Sequence, residues 1–252
     1  MNSETKRKLT EMNLRGVIEA YESQEKNDFG DMSFDHRFQL LVDHEYSRRQ
    51  SNRLARLIRQ AKFVEPNACI EEIEYHDDRK LDKHLIGELA TCNYIRDGRN
   101  VILMGATGSG KTYLSNALGN AACRNFLHVA YIRLPELLDE LMVAKNLVDG
   151  SFRKLLNKYK KVDLLVIDEW LLTSLTLDQA TILLEIIENR QFQRSTVFCS
   201  QFAPEGWHAK IEQQQIADAN LDRIVHNSFK IILDGNISMR ERHGLNGGKS
   251  GG

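Results

Sequence analysis

Hydrophobic residues recur with two different periods along the chain, and the change between them falls between about residues 65 and 100. Before residue 65, apolar positions from Leu9 to Tyr21 return at helical spacing, which predicts helices throughout this part. The segment NDFGDMS interrupts the pattern, and Ser33 is the expected N-cap of a new helix that carries Asp35 in its first turn. The sequence therefore predicts a small all-helical N-terminal domain over residues 1–65.

From residue 100 onward, short apolar runs alternate with stretches of helical spacing. The predicted strands are NVILM, HVAYIRL, VDLLVID, STVFCSQ and FKIILDG, and a helix is expected after each of the first four. VDLLVID is apolar almost without interruption, which is typical of a strand buried on both faces. This alternation predicts an α/β domain over residues 66–245, with a parallel sheet flanked by helices.

Three further segments complete the predicted organisation. VEPNACIEEIEYHDD, which contains Pro66, is expected to be a linker or the opening segment of the second domain. A helix is expected roughly over residues 80–97, before the first strand. The glycine-rich end NGGKSGG predicts a flexible tail over residues 246–252.

Composition narrows the class of protein. The 252 residues are 42% hydrophobic and 27% charged, as in an ordinary globular protein. The start MNSETKRKLTEMNL has no apolar core of a signal peptide, and no stretch approaches eighteen uncharged apolar residues. The four cysteines are far apart, without a C-x-x-C pair, which suits reduced thiols. We therefore expect a cytoplasmic protein.

The motif GATGSGKT carries the strongest chemical signal. It fits the phosphate-binding pattern G-x-x-x-x-G-K-[ST] in full, and it stands between a predicted strand and a predicted helix, as that pattern requires. Glycines let backbone N–H groups point at phosphates, Lys111 would reach the β and γ phosphates, and the Thr112 hydroxyl would coordinate Mg²⁺. The predicted ATP-binding loop is Gly105, Ala106, Thr107, Gly108, Ser109, Gly110, Lys111 and Thr112.

Two polar strand ends should lie beside this loop. VDLLVID delivers Asp168 to the end of its strand as a second Mg²⁺ ligand, and Glu169 follows as the candidate base for a water that attacks the γ-phosphate. Taken alone, an acidic pair after a strand is more often an ordinary exposed end. Ser200 and Gln201 end the next strand, and either could contact the γ-phosphate or the water, although a capping role is nearly as well supported.

Residues 46–64, YSRRQSNRLARLIRQAKFV, are an outlier in a chain of formal net charge −1. On a helix, the apolar residues fall on one face and most of the cations lie roughly opposite. Such a helix could bind nucleic-acid phosphates, bind a protein partner, or remain a solvated charged face. Its cations are Arg48, Arg49, Arg53, Arg56, Arg59 and Lys62.

In their order along the chain, the phosphate loop, LLVIDE, CSQ, ADANLDRIVHNSFKIILDG and SMR resemble AAA+ ATPases of the helicase-loader and initiator clade. Within that clade, SFDHRFQLLVDHEYSRRQ, AKF, SQFAPEGWH and IADANLDRIVHNSFKIILDGNISMR are similar to the IstB-like ATP-binding proteins, helper ATPases of bacterial insertion-sequence transposition. The resemblance extends from about residue 9 to residue 242. It implies an AAA+ P-loop fold for the second domain.

The resemblance also implies functions for two arginines. Without it, both would be interpreted as ordinary surface or salt-bridged arginines. Arg223 in LDR matches the arginine finger, which acts on ATP bound by a neighbouring subunit. Arg240 in SMR matches the second sensor arginine, which contacts phosphate within its own subunit. Two positions depart from the pattern: Tyr113 replaces the histidine common after GKT, and Gln201 stands where asparagine is frequent.

The function implied by the resemblance is an ATP-dependent switch. Homo-oligomers with ATP shared between subunits would assemble along duplex DNA, grip its phosphates with the basic helix, and recruit the transposase of the same element. The runner-up within the clade is a DnaC-like replicative helicase loader, whose N-terminal region would bind a helicase. A nucleotide or small-molecule kinase, and a module that holds ATP without hydrolysing it, fit Glu169 and the distant arginines less well.

Overall fold

The computed structural model describes residues 1–26, 32–79, 81–147, 149–212, 214–235 and 238–243. The chain divides into two compact units, Met1–Arg56 and Leu57–Gly252. The predicted tail over residues 246–252 lies outside the described residues. Among the helices that the structure describes, none has the length and apolar character needed to cross a membrane.

The N-terminal unit is helical, as predicted. Its helices are α1 (Ser3–Glu11), α2 (Arg15–Lys26) and α3 (Phe34–Ala61), and the last turn of α3 belongs to the second unit. The apolar pattern that starts at Leu9 crosses a break between α1 and α2, where Asn13 has a left-handed backbone with φ 57°. Ser33 caps α3 as expected, because its Oγ accepts a hydrogen bond from the His36 backbone N at 3.3 Å.

A buried carboxylate ties α2 to α3 inside this unit. Glu45 is only 5% exposed, and its side chain accepts hydrogen bonds from the Gly16 backbone N (2.7 Å) and Arg49 Nε (2.6 Å). Arg48 Nε lies 3.5 Å from the same carboxylate. Burial alone would raise the pKa of Glu45, but the bonds from Arg49 and Gly16 hold it below its usual value.

The second unit is built on a parallel five-stranded sheet with the order β2-β3-β4-β1-β5. Each of the predicted apolar runs forms one strand, and β3 is buried along its whole length because helices cover both faces. The carboxyl ends of β1, β3 and β4 therefore meet at one edge, where ligands bind in open α/β sheets. The strands are β1 (Asn100–Met104), β2 (Val129–Arg133), β3 (Leu164–Asp168), β4 (Ser195–Ser200) and β5 (Ser228–Ile232).

The helices of this unit mostly follow the sequence pattern. They are α4 (Lys83–Ala90), α5 (Asn93–Arg96), α6 (Lys111–Arg124), α7 (Leu134–Lys145), α8 (Ser151–Lys161), α9 (Leu177–Arg190), α10 (Gln214–Val225) and α11 (Met239–Arg242). The single helix expected over residues 80–97 is wrong, because the chain turns at Cys92 (φ 61°) and forms α4 and α5 instead. Helix α8 was not predicted.

The segment before the sheet is part of the second unit and does not behave as a loose linker. Asn120 on α6 donates hydrogen bonds to the carbonyls of Pro66 (3.0 Å) and Ala68 (2.8 Å). Phe63 packs so closely on α6 that a Cβ at Gly119 would lie 2.5 Å from its ring. The end of α3 and the segment that follows it are therefore anchored on the helix that begins at the phosphate loop.

Candidate nucleotide site

Residues 105–112 form a loop that joins β1 to the first turn of α6. Gly108 (φ 81°) and Gly110 (φ 92°) have backbone conformations that other residues rarely adopt. Both are also crowded, since a Cβ would lie 3.1 Å from Ser238 Cβ at Gly108 and 3.2 Å from Arg79 Nη2 at Gly110. The glycines of the motif are therefore required by backbone geometry and by close neighbours.

The Lys111 side chain is hydrogen-bonded to the backbone of its own loop. Its Nζ donates hydrogen bonds to the carbonyls of Gly105 and Ala106, both at 2.7 Å, and the residue is 8% exposed. Burial lowers the pKa of this ammonium. A triphosphate in the loop would offer the same ammonium stronger, charged acceptors.

The expected Mg²⁺ ligands are brought together. Thr112 Oγ1 donates to Asp168 Oδ2 at 2.8 Å, across 56 residues of sequence. Tyr131 on β2 donates its hydroxyl to the same oxygen at 2.8 Å, and Asp168 is 6% exposed. A hydroxyl and a carboxylate are the hard oxygen donors that Mg²⁺ takes when phosphates complete its shell, so the two residues fit the ion.

Tyr131 was not found from the sequence, and it gives a testable prediction. Tyr131→Phe removes one hydrogen bond that orients Asp168, so we expect the Mg²⁺ concentration for half-maximal ATP turnover to rise about tenfold. The measurement is a Mg²⁺ titration of phosphate release. Tyr159→Phe is the matched control, because it removes a similar hydroxyl bond (2.8 Å, to Glu140) away from the loop. An unchanged Mg²⁺ requirement in Tyr131→Phe would show that Tyr131 does not orient Asp168.

Glu169 has an unusual backbone and an arginine close by. Its φ is 55°, which is uncommon outside glycine, and its backbone N donates to Asp168 Oδ1 at 2.8 Å. Arg133 Nε lies 3.9 Å from Glu169 Oε1, and the glutamate charge raises the pKa of Arg133. The carboxylate is 38% exposed, so water can reach it.

The two residues at the end of β4 differ sharply in their surroundings. Ser200 is fully buried, and its hydroxyl bonds to Trp170, Phe202 and Trp207. A hydroxyl donates one hydrogen bond and accepts two, so these three contacts use its capacity. Gln201 is exposed, which leaves it as the better candidate for a contact with the γ-phosphate or the attacking water.

The two arginines assigned by resemblance lie in different places. Arg240 lies next to the phosphate loop: the Met239 backbone N donates to the Gly108 carbonyl at 2.8 Å, and Arg240 Cδ would be 3.9 Å from a Cβ at Gly108. Arg223 on α10 instead pairs with Glu188 on α9, with 3.0 Å between Nη2 and Oε1.

A cavity of about 580 Å³ adjoins the loop, a size suited to a nucleoside. Arg240 lines it, as do apolar residues such as Ile73 and Leu114, whereas Arg223 is not among its lining residues. Tyr113 also lines it and donates its hydroxyl to Glu72 Oε2 at 3.0 Å, so the residue that departs from the family pattern has a structural role.

Arg79 is a further component of the site that sequence reasoning missed. It is 5% exposed and lines the cavity. Its Nη2 donates to the Ser109 carbonyl at 2.9 Å, and its Nη1 donates to the Glu74 carbonyl at 2.8 Å. Arg79 therefore fixes the phosphate loop against the segment before the sheet.

The basic segment is helical, and its cations are not equivalent. Arg48 and Arg49 contact the buried Glu45, and of these two only Arg49 is exposed. Arg53, Arg56 and Arg59 are exposed further along α3. Lys62, also exposed, follows the end of α3.

Helix α8 is a second cationic element, and it lies within the second unit. Its sequence SFRKLLNKYKK contains five cations and no acid. Leu156 and Tyr159 are buried, and the cations on the opposite face are exposed. Those exposed cations are Arg153, Lys154, Lys158 and Lys161. Lys160, in contrast, pairs with Glu185 at 2.6 Å.

A family model of the IstB-like ATP-binding proteins matches residues 7–247. An ATP-binding protein of insertion sequence IS1162 from Pseudomonas fluorescens is 40% identical over 202 residues, which are 80% of this chain and 87% of that protein. An insertion-sequence ATP-binding protein of Sinorhizobium fredii, y4uH, is 36% identical over 235 residues, which are 93% of this chain and 94% of that protein.

Solved structures with a similar fold come from replication proteins. DnaA from Aquifex aeolicus bound to AMPPCP has a TM-score of 0.58 at 17% identity, covering 72% of this chain and 54% of that one. The DnaC helicase loader has a TM-score of 0.57 at 16% identity, covering 67% of this chain and 97% of that one. At such identities the likeness shows the fold, which is that of the AAA+ proteins.

Proposed function

The chain belongs to the family of IstB-like ATP-binding proteins, and we propose that it is an ATPase that assembles as an oligomer on duplex DNA and assists transposition. In this proposal it selects or remodels target DNA and recruits the transposase of the same insertion sequence. The ATPase part of the proposal is supported by two hydrogen bonds at the phosphate loop, which link Thr112 and the backbone N of Glu169 to the Asp168 carboxylate. The insertion-sequence context of the relatives supports the transposase as partner.

ATP would bind with its phosphates in the loop and its nucleoside in the adjoining cavity. Lys111 would turn from the Gly105 and Ala106 carbonyls to the β and γ phosphates, and Arg240 would contact phosphate within the same subunit. Thr112 and Asp168 would hold Mg²⁺, which neutralises charge on the phosphate oxygens.

Hydrolysis would use Glu169 as the general base. The carboxylate takes a proton from a water as the water oxygen attacks the γ-phosphorus. The bond from that phosphorus to the bridging oxygen breaks, which leaves ADP and inorganic phosphate. Gln201, at the end of β4, would orient the water or the γ-phosphate.

Arg223 would complete the site of a neighbouring subunit. Its absence from the lining of the cavity in its own chain supports a role in trans. A positive charge from the neighbour then bridges the subunits while the γ-phosphate is present. Hydrolysis removes that bridge and loosens the oligomer together with its grip on DNA.

Duplex DNA would be held through its phosphates by the exposed cations of α3. Such contacts are strong, salt-dependent and independent of base sequence. We assign most of this role to the exposed Arg53, Arg56 and Arg59, with Lys62 beyond the end of α3.

The direct test of the ATPase proposal is phosphate release by the purified protein with ATP and Mg²⁺, in the presence and absence of duplex DNA. We expect turnover that DNA increases. No turnover under either condition would contradict the proposal and would favour a module that only holds ATP.

We propose that the exposed cations of α8, which lies in the second unit, also contact duplex DNA. Replacing Lys154 and Lys161 together with glutamine removes two of them, so we expect the slope of log affinity against log salt to fall by about 1.8. Fluorescence anisotropy of labelled duplex DNA across a salt series measures this slope. Lys160→Gln is the matched control on the same helix, because Lys160 is paired with Glu185. Equal slopes for the double variant and the unaltered protein would show that α8 does not contact DNA.

A further inference from the structure

Ser200 bonds to three separate segments of the nucleotide site. Its backbone carbonyl accepts a hydrogen bond from the Gly105 N of the phosphate loop at 3.3 Å. Its hydroxyl donates to the carbonyl of Trp170 at 3.2 Å, immediately after Glu169. The same hydroxyl accepts from the backbone N of Phe202 at 3.1 Å, immediately after Gln201. One buried serine thus links the phosphate loop, the candidate base and the candidate sensor.

Trp207 makes the fourth hydrogen bond to Ser200. Its Nε1 donates to Ser200 Oγ and to the Phe202 carbonyl, both at 3.0 Å, and the residue is 0% exposed. Its ring packs edge-on against Trp170 with 5.8 Å between centroids, and Trp170 packs in the same way on Phe198 at 4.6 Å. The Trp170 backbone N also donates to the Cys199 carbonyl at 2.8 Å.

These contacts bear directly on the two reactive side chains. Glu169 has the left-handed φ of 55°, and a residue other than glycine keeps such a conformation only where its surroundings hold it. The bonds at both ends of the Trp170 backbone, to Cys199 and Ser200, fix the residue that follows Glu169. Gln201 lies between Ser200 and Phe202, which are bonded to each other and to Trp207.

We propose that Ser200 and Trp207 are positioning residues for ATP hydrolysis: their shared hydrogen bonds hold Glu169 and Gln201 in a fixed relation to the phosphate loop. The proposal rests on the ATPase function proposed above and extends it to two residues that do not touch the substrate. Ser200 consequently acts through its neighbours, because its hydroxyl has no capacity left for a phosphate oxygen.

Trp207→Phe tests this, because phenylalanine keeps an aromatic ring in the cluster and removes only the Nε1 donor and part of the indole. We expect kcat to fall about tenfold, while KM and the affinity for a fluorescent ATP analogue stay within about twofold. Trp170 is then the only tryptophan left of two, so an unchanged emission maximum shows that the cluster still excludes water. Tyr94→Phe is the matched control, since it removes a buried hydroxyl that has no hydrogen-bond partner among the residues the structure describes.

Ser200→Ala is the second variant. It removes the hydroxyl that accepts the hydrogen bond from Trp207 Nε1. We expect a similar loss in kcat, and we expect the double variant to lose little more than the worse single variant, because the two residues act as a unit. Wild-type kcat in both single variants would overturn the proposal, as would a loss in ATP affinity that matches the loss in kcat. An unaltered protein without any turnover would overturn the ATPase function itself, and this proposal with it.

Discussion

Glu169→Gln is expected to abolish most ATP hydrolysis and to leave ATP binding intact. The amide has nearly the shape of the carboxylate but cannot take the proton of the attacking water, so we expect turnover to fall by about 10²–10⁴-fold. The measurement is phosphate release at saturating ATP, with affinity followed by a fluorescent ATP analogue. The variant should remain in the ATP-bound, assembled state and hold duplex DNA more persistently than the unaltered protein.

Glu136→Gln is a closely matched control for this experiment. Arg133 lies 3.9 Å from Glu169 and 3.8 Å from Glu136, so each variant removes one negative charge beside the same guanidinium. Of the two glutamates, only Glu169 adjoins Asp168, the proposed Mg²⁺ ligand, however. Equal losses in the two variants would mean that the charge next to Arg133 matters and that Glu169 is not the base.

Arg223→Ala is the second variant with a large expected effect. An arginine supplied by a neighbour stabilises the charge that develops on the γ-phosphate, so its loss should lower turnover by about 10³-fold or more. ATP affinity of the separated subunits should not change. Arg124→Ala is a suitable control, because Arg124 is an exposed arginine that pairs with Glu71 at 3.2 Å.

Mixing two inactive variants separates a role in trans from a role in cis. A subunit with Arg223→Ala keeps Glu169, and a subunit with Glu169→Gln keeps Arg223. In an equal, random mixture about a quarter of the interfaces combine both intact groups, so turnover should recover to roughly that fraction. A mixture as inactive as its components would show that Arg223 does not act on a neighbour's ATP.

The sequence predicted the elements that surround the site well where those elements follow local pattern. The five strands and the phosphate loop depend on runs of neighbouring residues, and the structure confirms the strands and the parallel sheet. The meeting of Thr112 and Asp168 follows from the rule that carboxyl ends of parallel strands share an edge. The family was recognised from motifs spread over most of the chain, and the family model confirms it.

The components that were missed depend on tertiary contacts. Arg79 lies in an acid-rich segment, and nothing local indicates that its guanidinium is buried against the Ser109 carbonyl. Tyr131 lies in the apolar run of β2, so the sequence marks it as a core residue. Its hydroxyl bonds to Asp168 because β2 pairs with β3. The hydrogen-bonding capacity of the Ser200 hydroxyl is used by Trp170, Phe202 and Trp207, which the sequence pattern alone does not reveal.

Helix α8 is a different case, because the signal was present. Its apolar residues Phe152, Leu155, Leu156 and Tyr159 follow the spacing i, i+3, i+4, i+7, which is typical of an amphipathic helix. The many lysines and arginines between these apolar residues make the helical pattern hard to recognise in the sequence. The break between α4 and α5, in contrast, depends on the left-handed backbone of Cys92, which its residue type does not indicate.

The measurement that most directly tests the account is duplex-DNA binding with ATP, ADP or no nucleotide across a salt series, for the unaltered protein and for Arg53→Glu/Arg56→Glu. Arg124→Glu/Lys145→Glu is the control, because it makes the same change in net charge at exposed positions on α6 and α7. We predict binding that requires ATP, weakens steeply with salt, and is lost only in the Arg53/Arg56 variant. Binding that is indifferent to nucleotide would contradict the switch, and no duplex binding under any condition would favour the helicase loader.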